Sequence, residues 1–252
     1  MKANPIVGSG TSIEAWARSR HLAEVGHIDL QNLVPAGHRA VIVAPHPDDE
    51  VLGCGGLLQV LSRAGNPLLL ISVTDGDASH PGSLRWPVAR LLQTRPLESA
   101  EALRRLEIDV GTLPWIRAAL PDSAVAAHED RLHKLIGEAL RPGDVVFATW
   151  REDGHCDHEA VGRAAAAAAR AVGARLVEVP IWAWHWADPE DPRLPWQRAR
   201  KLVLDEGMLA RKREAMQAHA SQLEGDPDIH LPPVLDAHAL ERLLRPFEVF
   251  FL

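Results

Sequence analysis

Residues 39–50 read RAVIVAPHPDDE, an apolar run rich in β-branched side chains (Arg39 to Ala44) that leads straight into one histidine and three carboxylates. A half-exposed strand would alternate apolar and polar residues, so an unbroken run marks a strand buried on both faces of a parallel sheet. The same signature returns at Pro67–Thr74 (PLLLISVT), at the short Trp115–Leu120 and at Asp144–Thr149 (DVVFAT), and Arg175–Trp186 is expected to return to strand. Helices are expected at Val51–Ala64, where Leu52, Leu57, Leu58 and Leu61 share a face, and at Leu97–Leu106, Asp130–Leu140, His158–Val172 and Glu206–Leu223. The run Ala164–Ala169 suits a helix packed closely on a sheet. Strands alternating with helices imply one α/β domain, a mostly parallel sheet with helices on both faces. Residues 1–37 form a polar, helical lead-in, and Asp188–Pro195 a loop. In such sheets ligands bind beyond the carboxyl ends of the strands, near a topological switch point, so chemistry is sought in the loops after the apolar runs.

Composition narrows the function. The chain has 252 residues, 46% of them hydrophobic, with 27 Lys+Arg against 34 Asp+Glu and a net charge of −7. At this length folding removes roughly three-quarters of the extended surface from water, enough for a core without staples. The acidic balance, with no run of Lys and Arg, excludes a general nucleic-acid binder. Two cysteines, Cys54 and Cys156, exclude both a disulfide framework and a four-thiolate zinc site. No stretch of about 18 apolar residues can span a membrane. The N-terminal MKANPIVGSGTS has no hydrophobic signal core. The expectation is a cytoplasmic globular protein.

The loop His46-Pro47-Asp48-Asp49-Glu50 crowds an imidazole and three carboxylates at a strand's end. Like charges this close repel and lose solvation when shielded, and a divalent cation resolves both problems. An acidic helix N-terminus explains Glu50 and in part Asp49, but not His46. The loop after DVVFAT reads Trp150-Arg151-Glu152-Asp153-Gly154-His155-Cys156-Asp157-His158. Two histidines three apart at a helix mouth can point into one cavity and converge with His46. Three protein ligands plus water is the arrangement of a catalytic zinc. Cys156, between the two histidines, is expected to point aside.

Together these blocks resemble the PIG-L/LmbE-like N-acetylglucosamine deacetylases. The resemblance covers about residues 38–225 and includes His46–Glu50, the glycines Gly53, Gly55 and Gly56, and His155-x-x-His158. Arg95-x-x-Glu98, Leu120-Pro121-Asp122 and Lys212-x-x-Ala215-x-x-x-His219-x-Ser221-Gln222 extend it. It implies a Rossmann-like fold, one Zn2+ per chain (Fe2+ or another divalent ion being an alternative) and hydrolysis of an acetamide on a sugar. Carried over by position, His46, Asp49 and His158 are the metal ligands, and Asp48 is the general base. His155 stabilises the oxyanion as a protonated imidazole, and Asp157 orients a histidine. Arg95 and Asp122 become substrate contacts, against the plainer readings of a surface salt bridge to Glu98 and a helix N-cap.

Two features depart from the family: Cys156 stands where proline is common, and the chain has no tyrosine, although some relatives use one near the second block. Asp153, in the corresponding stretch, is an anion and a poor substitute for it. The alternating Trp182, Trp184 and Trp186 would share one face of a strand, as core packing rather than a sugar platform. The Lys212, Ala215, His219, Gln222 stripe would dock the last helix on the sheet, with His219 toward the edge of the site. The expected partner is a small glycoside or glycoconjugate, and homo-oligomers are compatible. The competing functions are a zinc amidase acting on another acyl amide and a non-catalytic sugar-binding protein. A nucleotide-binding dehydrogenase is disfavoured, because Gly53-Cys-Gly55-Gly56 is not G-x-G-x-x-G and follows an acidic loop.

Overall fold

The computed structural model describes residues 6–252, so the first five residues of the lead-in lie outside the described residues. Within the lead-in, α1 (Ile13–Ala17), α2 (Arg20–Glu24) and α3 (Leu30–Leu33) are each started by a side-chain cap, from Ser12, Ser19 and Asp29. The apolar runs become β1 (Ala40–Ala44), β2 (Leu68–Thr74), β3 (Trp115–Leu120), β4 (Val145–Thr149) and β5 (Arg175–Val179). Two strands not foreseen, β6 (Ala199–Val203) and β7 (Phe247–Phe251), complete a sheet ordered β3-β2-β1-β4-β5-β7-β6. Pairings from β3 through β5 are parallel, and β7 runs antiparallel to both β5 and β6.

Alternate residues of β1 feed opposite cores. Ala40, Ile42 and Ala44 pack with α4 (Asp49–Ala64), α5 (Val88–Arg105) and α9 (Glu206–Met216). Val41 and Val43 pack with α6 (Glu129–Ala139) and α7 (Cys156–Val172), whose Ala164, Ala165, Ala168 and Ala169 lie flat against the sheet. The chain leaves β1 toward β2 on one side and returns at β4 on the other. The switch point therefore falls between β1 and β4, whose following loops carry the two histidine blocks. No helix among the described residues is long and apolar enough to cross a membrane.

Three expected elements differ. Helix α5 begins at Val88 rather than Leu97 and carries Pro96 inside it, a residue that argues against helix because it lacks an N–H. The strand from Arg175 stops at Val179, and Trp182, Trp184 and Trp186 lie on or beside the single turn α8 (Ala183–Trp186). The cause is Asp153, whose carboxylate accepts the N–H groups of Ile181, Trp182 and Ala183 and curls the chain. The three indoles consequently diverge. Trp184 meets Trp16 edge-on at 5.0 Å, Trp186 stacks with Trp150 at 6.3 Å, and Trp182 stays half-buried.

The expected helix Glu206–Leu223 breaks after Met216 and resumes as α10 (Ala220–Leu223). The stripe is thereby split. Lys212 is an ion-pair partner of Glu248 on β7 at 2.7 Å, both side chains being buried. The pair is spliced into α4, with the ammonium donating to the Leu52 carbonyl (2.9 Å) and Gly56 and Leu57 N–H donating to the Glu248 carboxylate (2.7 and 2.8 Å). The glycines of α4 are what admit these neighbours. A Cβ at Gly56 would lie 2.2 Å from Leu204 Cδ2, one at Gly53 2.5 Å from Val179 Cγ1, and one at Gly55 3.1 Å from Lys212 Cγ. They serve close packing, not phosphate binding.

Removing one member of a buried pair leaves the other charge uncompensated, at a cost of about 3–5 kcal/mol. Lys212→Met is accordingly expected to lose about that much stability in urea unfolding. Breaking the more exposed Arg163–Glu129 pair by Arg163→Met should cost under about 1 kcal/mol.

Candidate metal centre

Strand β1 ends at Ala44, and Pro45-His46-Pro47 turns the chain so that α4 starts at Asp49. Asp49 closes the turn on itself, its Oδ2 accepting the His46 N–H at 3.0 Å. That oxygen also lies 3.2 Å from His46 Nδ1 and 3.2 Å from His158 Nε2, so one carboxylate oxygen bridges imidazoles from the two loops. The rings of His46, His155 and His158 form a tight triangle, with centroids 4.9, 4.9 and 5.4 Å apart. One nitrogen from each can be chosen so that all three lie within 4.8 Å of one another.

The donor set fits a metal ion. His158 Nε2 is buried and makes no hydrogen bond, although Asp49 Oδ2 lies 3.2 Å away. Two donors close together but not aimed at each other are what a shared cation requires, and imidazole with carboxylate suits zinc. The opposite ring nitrogens are held as a second layer. His158 Nδ1 meets Asp153 Oδ2 at 2.8 Å, and His46 Nε2 lies 3.2 Å from both Asp157 Oδ2 and Asp122 Oδ1. Such carboxylates fix the ring's tautomer and orientation. His46, Asp122 and Asp157 also form a second group of donors close enough to share an ion. His46 is thus held between carboxylates on both sides.

Asp157 Oδ2 lies 3.2 Å from His46 Nε2, and its carboxylate is itself held by the N–H groups of Ser123 (2.7 Å) and Val125 (3.1 Å). Asp153 is the residue whose importance sequence reasoning missed. Fully buried, it holds His158 on one side and the start of α8 on the other. Its position in a polar loop gave no signal, because both partners are visible only in the folded chain. Asp153→Asn is expected to weaken zinc affinity by about 10–100-fold in competition with a chromophoric chelator.

Charges in the cluster settle one another. Burial opposes ionisation of Asp49, but the imidazoles of His158 and His46 outweigh it and hold its carboxyl far below the usual range. Burial pushes Asp48 up to about 7, partly offset by the Arg95 guanidinium. Burial, then the neighbouring His158 and His46, push His155 down to about 3. A protonated His155 is therefore not what these surroundings favour. Its Nδ1 accepts the Asp157 N–H at 3.2 Å, capping α7, which leaves the single proton of the neutral ring on Nε2.

Asp48 has φ 154° and ψ −31°, a conformation that disfavours any side chain and costs of order 1–3 kcal/mol. Its N–H donates to Glu50 Oε2 at 3.1 Å. Its carboxylate receives Arg95 Nη2 at 3.0 Å, and the same guanidinium donates to the carbonyls of Gly76 and Pro47. Gly76, at φ +69°, leaves the space for it, since a Cβ there would sit 1.9 Å from Arg95 Nη1. Arg95 makes no ion pair with Glu98, whose carboxylate takes the Ser221 N–H and hydroxyl instead. Asp122 is not the N-cap of the following 3₁₀ turn, which starts from Ala124. Its Oδ2 accepts the Ala78 N–H at 2.9 Å. Cys156 is exposed and stands outside the ring triangle. His219 is fully buried, with neither ring nitrogen hydrogen-bonded, and Gln222 rather than His219 reaches the cavity.

That cavity, about 600 Å³, is lined by His46, Asp48, Asp49, Arg95, Asp122 and His155 among others. It can present a carbonyl at once to a metal, a carboxylate and an N–H donor.

Residues 41–169, just over half of the chain, match the PIG-L family, described as GlcNAc-PI de-N-acetylase. A 2'-N-acetylparomamine deacetylase of Streptomyces fradiae is 28% identical over 137 residues, 48% of each protein. The chain therefore spans about half the length of the curated relative it matches. Among solved structures, an N,N'-diacetylchitobiose deacetylase from Pyrococcus horikoshii superposes with a TM-score of 0.58 at 21% identity, covering 80% of this chain and 76% of that one. A conserved protein from Thermus thermophilus gives 0.54 at 28% identity, covering 73% and 79%.

Proposed function

The chain belongs to the PIG-L family, and from that premise we propose that it is a zinc-dependent hydrolase that removes the acetyl group from an N-acetylglucosamine-type sugar amide. The observation that carries this reading is that His46, Asp48, Asp49 and His155, drawn from the ends of β1 and β4, line one cavity. His46, Asp49 and His158 would hold the ion, one per chain. When bound there, zinc supplies a Lewis acid that polarises the amide carbonyl and acidifies water.

The chain's own groups do the rest. Asp48, made more basic by burial and aimed by Arg95, takes the proton of the attacking water as a carboxylate. His155 Nε2–H donates to the oxygen on which negative charge gathers, where a preplaced donor needs no reorganisation. The proton taken by Asp48 goes to the departing amine. Arg95, committed to Asp48, acts by positioning it, while Asp122 offers its carboxylate to a sugar hydroxyl.

The test is acetate release from N-acetylglucosaminides by zinc-loaded protein, run beside iron-loaded protein and a panel of non-sugar amides. Release from the glycosides alone, abolished by chelation and restored by metal, is expected. Turnover confined to another amide would replace the sugar in this proposal while leaving the site chemistry in place. Sugar binding without release under any metal would identify a non-catalytic binding protein.

A further inference from the structure

Lys212 with Glu248, Arg95 with Asp48, and Glu178 with Arg151 and Arg198 follow one rule: a buried charge is answered by an opposite one. Arg245 and Lys201 break it. Each is 8% exposed. Arg245 Nε and Nη1 are shut off from solvent with no hydrogen-bond partner. Among the described residues no carboxylate acts on either cation. Burial, then the Arg242 charge, push Arg245 down to about 9, and burial, then the Arg245 charge, lower Lys201.

The fold brings these two charges from separate elements to one ring. Lys201 stands in the middle of β6, and Arg245 lies between α11 (Ala237–Leu243) and the start of β7. Lys201 Nζ sits 4.7 Å and Arg245 Cζ 5.3 Å from the centroid of Phe247, and Arg245 Cζ lies 3.9 Å over Trp184. Stacking uses the flat face of a guanidinium, whereas its N–H groups lie in the plane and still need acceptors. The spot is reachable from solvent, since Phe247 is half-buried and Val203, its partner across the β6–β7 ladder, is 52% exposed.

No other part of the chain answers these charges. Arg242, the third cation nearby, is occupied with the Ser9 and Thr11 carbonyls and His185 Nδ1. The first five residues, MKANP, contain no carboxylate. Neither Arg245 nor Lys201 lines the cavity over the histidines, and both fall outside the residues that match the family. Burying an ion without a counterion costs more than ring stacking returns. A bound anion answers both charges at once. Two cations call for two negative charges on one compact ligand, and phosphate oxygens suit both the arginine fork and the lysine point charge.

We propose that Arg245 and Lys201 form a binding site for a phosphate-type dianion, free or as a monoester, beside Phe247 and apart from the catalytic cavity. The site stands whether or not the chain hydrolyses an amide.

Zinc-loaded protein is titrated by calorimetry with inorganic phosphate, glycerol 1-phosphate and acetate, beside Lys201→Met and Arg245→Met. Phosphate can also ligate zinc, so each titration is repeated after chelation. The wild type is expected to bind one phosphate per chain with or without metal. Each substitution should weaken that event at least about tenfold, the value of one charged hydrogen bond. Phosphate at about a hundred times its Kd should stabilise the wild type against urea and leave both variants unchanged. In phosphate-free buffer Arg245→Met should unfold no more easily than the wild type, because it removes an unanswered charge. Lys201→Met carries the test if Arg245→Met does not fold. Tighter binding of glycerol 1-phosphate than of phosphate would support a monoester ligand, and the reverse the free anion. A phosphate event that vanishes on chelation, one that survives both substitutions, or acetate binding more tightly than phosphate overturns the proposal.

Discussion

Asp48→Asn is expected to lower kcat by about 10²–10⁴-fold, the usual contribution of a positioned general base, while the protein keeps one zinc per chain. Asparagine preserves the shape of the side chain and leaves an oxygen for the Arg95 Nη2 that now lies 3.0 Å from Asp48 Oδ2. It cannot take a proton from water. Asparagine also tolerates unusual backbone conformations better than most residues, and the native φ is 154°. Removing the Asp48 charge leaves the buried Arg95 uncompensated, so the melting temperature should fall as well, while turnover collapses in protein that is still folded and metal-loaded. A merely structural Asp48 would lower stability alike but preserve kcat. Metal analysis beside steady-state kinetics separates the two.

Asp49→Ala should act one step earlier. Its Oδ2 is the atom shared by His46 Nδ1 and His158 Nε2, and its carboxylate is the anion against which both imidazoles are drawn together. Without it, only two imidazole nitrogens of the set remain for an ion that needs three protein donors. Wild-type protein at a zinc concentration a thousandfold above its Kd should gain roughly 4 kcal/mol against unfolding, and the variant essentially none. Turnover should fall to background, since neither water nor carbonyl is activated. Equal zinc stabilisation of both proteins would move the ion away from Asp49.

The parts of this molecule that were legible in its sequence share a physical reason: their signals are local. RAVIVA and DVVFAT are apolar throughout because both faces of β1 and β4 are covered, and the loops after them meet because those strands are neighbours at the switch point. The convergence of His46 with His155 and His158 follows from that adjacency. What stayed hidden depends on partners far along the chain. Asp153 ends the expected strand at Val179 by collecting three N–H groups some thirty residues away. The carbonyls of Gly76 and Pro47 hold the Arg95 guanidinium on Asp48, and these partners, 19 and 48 residues away, leave no local pattern. Strands β6 and β7 pair antiparallel at the sheet's edge, where β6 carries Arg200 and Lys201 and lacks the unbroken apolar run of a central strand. The break after Met216 divides a stripe whose spacing alone was helical.

X-ray absorption at the zinc edge of the reconstituted protein tests the centre most directly. The account predicts one zinc per chain with only nitrogen and oxygen neighbours, at about 2.0–2.2 Å, including imidazole scattering that is lost in part in His158→Ala. A sulfur neighbour at about 2.3 Å, which only Cys156 or Cys54 could supply, or protein that retains no zinc from an excess, would contradict it.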